Sequence, residues 1–166
     1  ALVSMYMHNV YREAAPLCAG ELDDIVTDPL YGLQKYLLFY RSWARDRAVP
    51  EAVLLLRYED LKADAVRWTT ELLAFLGLPT DPAFVADVVE FGGFESMRRM
   101  ERAGGWGMST LAPSTRPGPN AYKVRQGEVG GGARLLGARS VELIERAIQR
   151  LMPDWYGYGP CRAAAD

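Results

Sequence analysis

The chain has 166 residues, 49% of them hydrophobic, and a formal net charge of -2 at pH 7. This length and apolar content suit one globular domain with a core, which we predict over residues 1–166. The charge balance argues against a nucleic-acid groove and against a polybasic membrane surface, because both need a basic field. Two cysteines and one histidine, Cys18, Cys161 and His8, provide neither a disulfide framework nor a zinc ligand set.

The start of the chain predicts a helix over residues 1–14, whose apolar positions are already in phase at Leu2. There is no initiator methionine, so we expect further sequence upstream of Ala1. No apolar run approaches membrane-spanning length and no signal peptide is visible. The Arg- and Ala-rich composition favours a cytoplasmic location, although an upstream anchor would change this expectation.

The next helix is predicted from Asp28-Pro29, with aspartate as the N-cap and proline at the first helical position. An apolar stripe follows at helical spacing, which predicts one buried face. Its members are Leu30, Leu33, Leu37, Tyr40 and Ala44.

Residues 53–56 form an unbroken apolar run that predicts a buried strand of a parallel sheet. Ligands of such sheets collect beyond the carboxyl ends of the strands. Tyr58 stands at that end, where its ring either lies against a base or only covers the core. Both interpretations are open at this point.

Two further helices are predicted by their start and stop signals. Asp64 begins the first and Gly77 ends it, whereas Asp81 begins the second and Gly92 breaks it. A short helix is then predicted from Phe94. Residues 104–120 lack periodicity and predict a long loop, either a lid or simply a mobile loop.

Residues 123–132 combine a cation, Arg125, with a run of glycines. Peptide N–H groups can approach an anion closely in such a loop because no Cβ stands in the way. The planar guanidinium fits a phosphate. The same pattern also occurs in plain solvated loops, so it predicts an anion site only in combination with other evidence. Ser140 is predicted to cap a last helix, and the aromatic residues 155–158 to dock on the core.

Taken together, these segments resemble the ordered landmarks of the sulfotransferase family that uses 3′-phosphoadenosine 5′-phosphosulfate (PAPS). The opening ALVSMY is similar to the piece that follows the family's Arg-x-Pro-Arg-Asp segment. The four other segments are LLLRYEDL at residues 54–61, FLG at 75–77, FESM at 94–97 and VRQGEVG at 124–130. The resemblance implies an α/β fold, a P-loop NTPase-like three-layer arrangement of which this chain forms a mostly helical portion.

The resemblance also implies a set of cofactor-binding residues. Ser4 and Arg125 would hold the 3′-phosphate of PAPS, or of its product PAP, and Gln126 and Gly127 would add contacts from the same loop. Tyr58 would contact the adenine. The last two members of the set, packed near the adenine, are Phe94 and Met97. Family members usually carry lysine where this chain has glutamine at position 126, so we expect weaker phosphate binding.

The resemblance implies transfer of a sulfuryl group from PAPS to a hydroxyl or amine of a small-molecule or glycan acceptor. The family's phosphosulfate loop and the segment with its catalytic base have no counterpart in residues 1–166. We therefore assign no catalytic residue, expect these groups upstream of Ala1, and expect no transfer by this chain alone. The loss of catalytic groups leaves open a second interpretation, a non-catalytic helical interaction module derived from the same fold.

Two weaker resemblances complete the sequence evidence. A P-loop kinase fragment would share the fold, but it gives no reason for the glycine-rich loop after all the helices. Ser140 with Val141 and Glu145 is similar to part of a dimerisation motif of soluble family members, which admits a homodimer. That motif has lysine where this chain has Leu136.

Overall fold

The computed structural model describes residues 1–13, 20–104, 107, 112–114 and 118–158. The chain divides into two compact units. Unit 1 comprises Ala1–Val10, Ala15–Val53 and Gly132–Asp166, and unit 2 comprises Tyr11–Ala14 and Leu54–Gly131. Among the described residues no helix has the length and apolar character that crossing a membrane requires. The single domain predicted over residues 1–166 stays a prediction.

Seven α-helices make up most of the described structure. They are α1 (Leu2–Arg12), α2 (Leu33–Arg45), α3 (Tyr58–Ala63), α4 (Ala65–Phe75), α5 (Pro82–Phe91), α6 (Phe94–Arg102) and α7 (Ala138–Leu151). Short 3-10 turns occur at Asp24–Val26, Pro119–Ala121, Ala133–Leu135 and Asp154–Tyr156.

Unit 1 has an apolar core in which α2 packs on α7. Its buried members come from the start of α1, the 3-10 turn after residue 23 and the first half of α2: Leu2, Ile25, Val26, Leu33 and Leu37. Half-buried apolar side chains of α7, among them Ile144, cover this cluster. The helical spacing of Leu33 and Leu37 therefore places one face of α2 in the core, as predicted.

Of the aromatic residues near the end of the described chain, Tyr156 packs into unit 1 as predicted, whereas Tyr158 is 38% exposed. Tyr156 is only 5% exposed. Its hydroxyl donates to the carbonyl of Tyr40 at 2.9 Å, and the two rings meet edge-on with centroids 4.8 Å apart. The hydrogen bond satisfies the polar end of a ring whose remainder is buried.

The predicted start of α2 at Asp28 is wrong. The Asp28 carboxylate accepts from the backbone N–H of Leu30 at 2.8 Å and of Tyr31 at 2.7 Å, so it closes a turn. The helix begins only at Leu33, after Gly32. A Cβ at Gly32 would lie 2.7 Å from the carbonyl oxygen of Ile25, so this crowded turn has no room for a side chain. Leu30 therefore lies outside the helix and is 68% exposed.

In unit 2, α4 and α5 begin where their aspartates predict. The Asp64 side chain accepts from the N–H of Arg67 at 3.0 Å, and the Asp81 side chain accepts from that of Phe84 at 2.9 Å. Gly77 follows α4 with a φ of 68°, the left-handed conformation expected after a helix end. The two helices pack on each other.

The strand predicted over residues 53–56 is not confirmed, because the described residues contain no β-strand. A parallel strand needs neighbours for its hydrogen bonds, and this part of the chain supplies none. Val53 is 37% exposed and the next three residues are half-buried. Ser140, predicted as a helix cap, lies inside α7, which begins after Gly137. The predicted sheet of the α/β fold is thus unconfirmed.

Candidate functional site

The predicted phosphate loop of unit 2 lies against one face of α6. We define the phosphate loop as residues 123–127. Gly127 has a φ of 63°, and a Cβ on it would lie 2.8 Å from Cε2 of Phe94. Glycine is needed here for two reasons, the left-handed backbone and the close approach of the ring. The structure therefore brings together Phe94 and the loop, which are distant in sequence.

A buried carboxylate fixes the beginning of the loop. Glu101, in the last turn of α6, is 4% exposed. One of its oxygens accepts from the N–H of Lys123 at 2.7 Å and the other from the N–H of Val124 at 2.9 Å. Hydrogen bonds to an ionised acceptor are shorter and stronger than neutral ones. Two consecutive peptide groups directly before Arg125 are thus held by one side chain.

Arg12, in the last turn of α1, neutralises this carboxylate. Its Nη1 lies 3.2 Å from a Glu101 oxygen, and the two side chains are only 6% and 4% exposed. The guanidinium also donates to the carbonyl of Ala121 and, at 2.7 Å, to that of Ala112. A buried charge needs such a partner, because an isolated one would carry a large desolvation cost.

Arg98 holds the middle of the loop. Its Nη1 donates to the carbonyl of Arg125 at 3.0 Å. Its guanidinium carbon lies 5.8 Å from the ring centroid of Phe94 and 5.5 Å from that of Tyr122, within cation–π distance of both rings. The prediction assigned Arg98 no role.

The side chain of Arg125 is far less engaged than its backbone. Within the described part of the chain its one hydrogen bond is a long one, from Nη1 to Oδ1 of Asn120 at 3.5 Å. No carboxylate there pairs with it. The guanidinium is half-buried, whereas its neighbours Lys123 and Gln126 are exposed. The site therefore presents a half-buried cation that no carboxylate of the described residues neutralises.

The other predicted residues are found on helices. Phe94 is half-buried at the start of α6, and Met97, one turn later, is 38% exposed. Tyr58 is the first residue of α3 and is 47% exposed. Ser4 is exposed on α1 and belongs to unit 1, whereas Arg125 belongs to unit 2. The predicted pairing of Ser4 with Arg125 stays a prediction.

An ion pair lies beside Tyr58. Arg57 donates from Nε and Nη2 to the two oxygens of Asp60, both at 2.6 Å. These hydrogen bonds lower the pKa of the Asp60 carboxyl below its usual value. Asp60 also lies in the first turn of α3, where a negative charge suits the helix dipole. The pair ties the residue before Tyr58 to the first turn of its helix.

Sequence reasoning missed Glu101, Arg12 and Arg98. Glu101 is 89 residues away from its partner Arg12, and no local pattern links the two. One signal was available: Phe94, Arg98 and Glu101 stand at helical spacing and therefore share a face of α6. A carboxylate on the same helix face as an aromatic ring is expected to be buried, and a buried carboxylate needs a partner.

Comparison with known proteins adds one match. The family model described as sulfotransferase domain matches residues 1–155, nearly the whole chain. Neither the curated proteins nor the solved structures contain a match to this chain.

Proposed function

This chain belongs to the sulfotransferase domain family, and we propose that its phosphate loop binds the 3′-phosphate of PAPS during sulfuryl transfer to an acceptor hydroxyl or amine. Sulfotransfer in general follows from the family. The donor, and the residues that hold it, are our proposal. Arg125, Gln126 and Gly127 would contact the 3′-phosphate, and the adenine side would involve Phe94, Met97 and Tyr58.

One observation carries this proposal: the backbone of Arg125 is held firmly while its guanidinium is almost unengaged. Arg12, which is structural, pairs with the carboxylate of Glu101, whereas no carboxylate in the described residues pairs with Arg125. A planar fork of donors on a fixed backbone suits a tetrahedral dianion, because little freedom is left to lose on binding. We infer that the loop is organised for an anion.

The neighbours of Arg125 support the same ligand. Lys123 is exposed and adds a second positive charge, and the exposed amide of Gln126 adds two donors without a charge. The left-handed φ of Gly127 turns the chain directly after them. Compared with the lysine usual at position 126 in the family, the glutamine should weaken phosphate binding without abolishing it.

An adenine base would find apolar and aromatic surface on the helices of the same unit. Phe94 lies against the loop, Met97 follows one turn later with 38% of its surface exposed, and the ring of Tyr58 is 47% exposed. Flat rings and a flexible thioether are suitable contacts for a purine. Ser4, predicted as a second contact to the 3′-phosphate, stays part of the proposal through the family resemblance alone.

The residues of this chain would bind and orient the donor. PAPS would supply an activated sulfuryl group: a bond from sulfur to the acceptor oxygen or nitrogen forms, the bond between sulfur and the bridging phosphate oxygen breaks, PAP leaves with that oxygen, and the acceptor loses a proton. Binding the distant 3′-phosphate tightly helps such a reaction, because the binding energy fixes the reacting end in place. We assign the proton acceptor to none of the described residues.

The test is a calorimetric titration with adenosine 3′,5′-bisphosphate. A second titration uses adenosine 5′-phosphate, which lacks the 3′-phosphate. We expect the bisphosphate to bind more tightly. Arg125→Ala should weaken its binding about a hundredfold, since two charge-assisted hydrogen bonds are lost. The matched control is Arg99→Ala, which removes an exposed arginine of α6 and should leave binding unchanged.

Equal affinity for the two nucleotides would refute the 3′-phosphate assignment. An Arg125→Ala variant that binds like the unmodified chain would do the same. Absence of any response at millimolar nucleotide would instead support the non-catalytic interaction module.

A further inference from the structure

We propose that Glu101 is a positioning residue for the phosphate loop, one that raises affinity for the 3′-phosphate without touching the ligand. This inference rests on the proposed function, and it assigns the cause of the loop's geometry to one buried carboxylate. Glu101 is 4% exposed and its two oxygens are occupied by Lys123 N–H, Val124 N–H and Arg12. It therefore acts through the backbone of the loop.

Three side chains of α6 meet the loop in a fixed order. Phe94 contacts Gly127, Arg98 binds the carbonyl of Arg125, and Glu101 binds the N–H groups of Lys123 and Val124. Contacts nearer the C-terminus of α6 are thus made with residues nearer the N-terminus of the loop. The two segments run in opposite directions, and the spacing of four and three residues keeps all three anchors on one helix face.

Of the three anchors, Glu101 is the one with charge-assisted hydrogen bonds to two consecutive peptide groups. Such a pair fixes both the position and the orientation of a backbone segment, because hydrogen bonds weaken steeply when their angle departs from linear. The next residue is Arg125. The direction in which the guanidinium leaves the backbone consequently depends on Glu101.

Arg12 completes the arrangement. Its guanidinium binds Glu101 and also the carbonyls of Ala121 and Ala112, so it joins the carboxylate to the segment that leads into the loop. Without Glu101 the buried Arg12 would lose its negative partner, and without Arg12 the carboxylate would be buried with uncompensated charge. The two residues are expected to act as one unit, with effects that do not add.

The proposal is tested with Glu101→Gln, which keeps the size of the side chain but replaces one acceptor oxygen by a donor NH2. We expect affinity for adenosine 3′,5′-bisphosphate to fall about tenfold and affinity for adenosine 5′-phosphate to change little. A merely structural role would lower both affinities together, so the ratio of the two dissociation constants is the decisive measurement. Glu95→Gln, at an exposed position of α6, is the matched control.

A second measurement needs no nucleotide. Amide hydrogen exchange at Lys123 and Val124 should become faster in Glu101→Gln than in the unmodified chain, while exchange within α4 stays the same. Should Glu101→Gln fail to fold, Glu101→Asp retains the charge on a shorter side chain and should show the same two effects to a smaller degree.

The outcomes separate the two proposals. If the unmodified chain prefers the bisphosphate but Glu101→Gln keeps the same preference, the positioning role is overturned and the proposed function stands. If the unmodified chain shows no preference, the proposed function fails, and the positioning role for a phosphate fails with it. Unchanged exchange at Lys123 and Val124 overturns the positioning role whatever the nucleotide does.

Discussion

The core of unit 1 and the phosphate loop of unit 2 are stabilised by opposite kinds of side chain. In unit 1, aliphatic residues such as Ile25 and Leu37 lose nearly all contact with water. In unit 2 the loop is held to α6 chiefly by hydrogen bonds from its backbone to the buried Glu101 carboxylate and from Arg98 to its backbone, and Arg12 neutralises that carboxylate. Apolar burial is strong but has no preferred direction, whereas hydrogen bonds prescribe the position of each atom. The comparison indicates that apolar burial stabilises unit 1, whereas directed hydrogen bonds fix the geometry of the loop.

The largest effect is expected in the apolar region. Leu37→Ala should lower the free energy of unfolding by about 2–5 kcal/mol, because Leu37 is 6% exposed and its removal leaves a cavity. Leu38→Ala is the neighbouring control, since Leu38 is 58% exposed and should cost no more than about 0.5 kcal/mol. Urea denaturation measures both. Similar losses for the two variants would contradict the burial assigned to this face of α2.

An intermediate effect is expected where the loop touches α6. Gly127→Ala should destabilise the chain by about 2–3 kcal/mol, because it combines a left-handed backbone with a clash against Phe94. Gly130→Ala is the matched control: its φ is 73°, but no atom lies within 4 Å of the added Cβ, so only about 1 kcal/mol is expected.

The difference between these two alanine variants, measured by thermal or urea unfolding, isolates the contact with the ring. When Phe94 is already replaced by alanine, Gly127→Ala and Gly130→Ala should lower the free energy of unfolding by similar amounts, because the ring is gone. If Gly127→Ala and Gly130→Ala cost the same with Phe94 present, the loop does not pack on α6 as described.

The smallest effect concerns the Arg57–Asp60 pair beside Tyr58. The pKa of Asp60 is lowered in the folded chain, so its stabilising contribution is present above the unfolded pKa of about 3.9 and is lost as the pH falls through the folded value. In Asp60→Asn the free energy of unfolding should therefore decrease less steeply as the pH falls below about 4. Urea midpoints between neutral and acid pH measure this slope.

The Arg45–Asp46 pair of unit 1 provides a control for that measurement. Its hydrogen bond also lowers the pKa of Asp46, but the side chains are 76% and 50% exposed, against 33% and 24% for Arg57 and Asp60. Water and salt screen an exposed pair more strongly, so Asp46→Asn should change the slope less. A larger change for Asp46 would reverse this expectation.

Local signals in the sequence predicted much of the helical structure. Asp64 and Asp81 do cap α4 and α5, and Gly77 does follow α4 with a positive φ. The same logic failed at Asp28, because an aspartate side chain caps an isolated turn as readily as a helix. It failed at Ser140 because α7 already begins after Gly137.

The candidate site was predictable only in part. Phe94, Arg125 and Gly127 were named from the sequence, and the structure places the ring, the guanidinium and the turn in one region. The residues that hold them there, Glu101 and Arg12, form a contact across 89 positions of the chain. Such a pairing between residues distant in sequence depends on the tertiary fold, about which composition and periodicity carry no information.

The opposite directions of α6 and the phosphate loop have a consequence for how this segment can change in evolution. Three anchors fix the number of residues between Lys123 and Gly127, because each added residue of extended chain spans about 3.3–3.6 Å, more than the length of a hydrogen bond. One insertion would put every later residue out of register with its anchor. The exposed side chain of Gln126 is none of these anchors, so its replacement leaves the register of the loop unchanged. We therefore expect the number of residues in the phosphate loop to be conserved, whereas the side chains that contact the phosphate can differ.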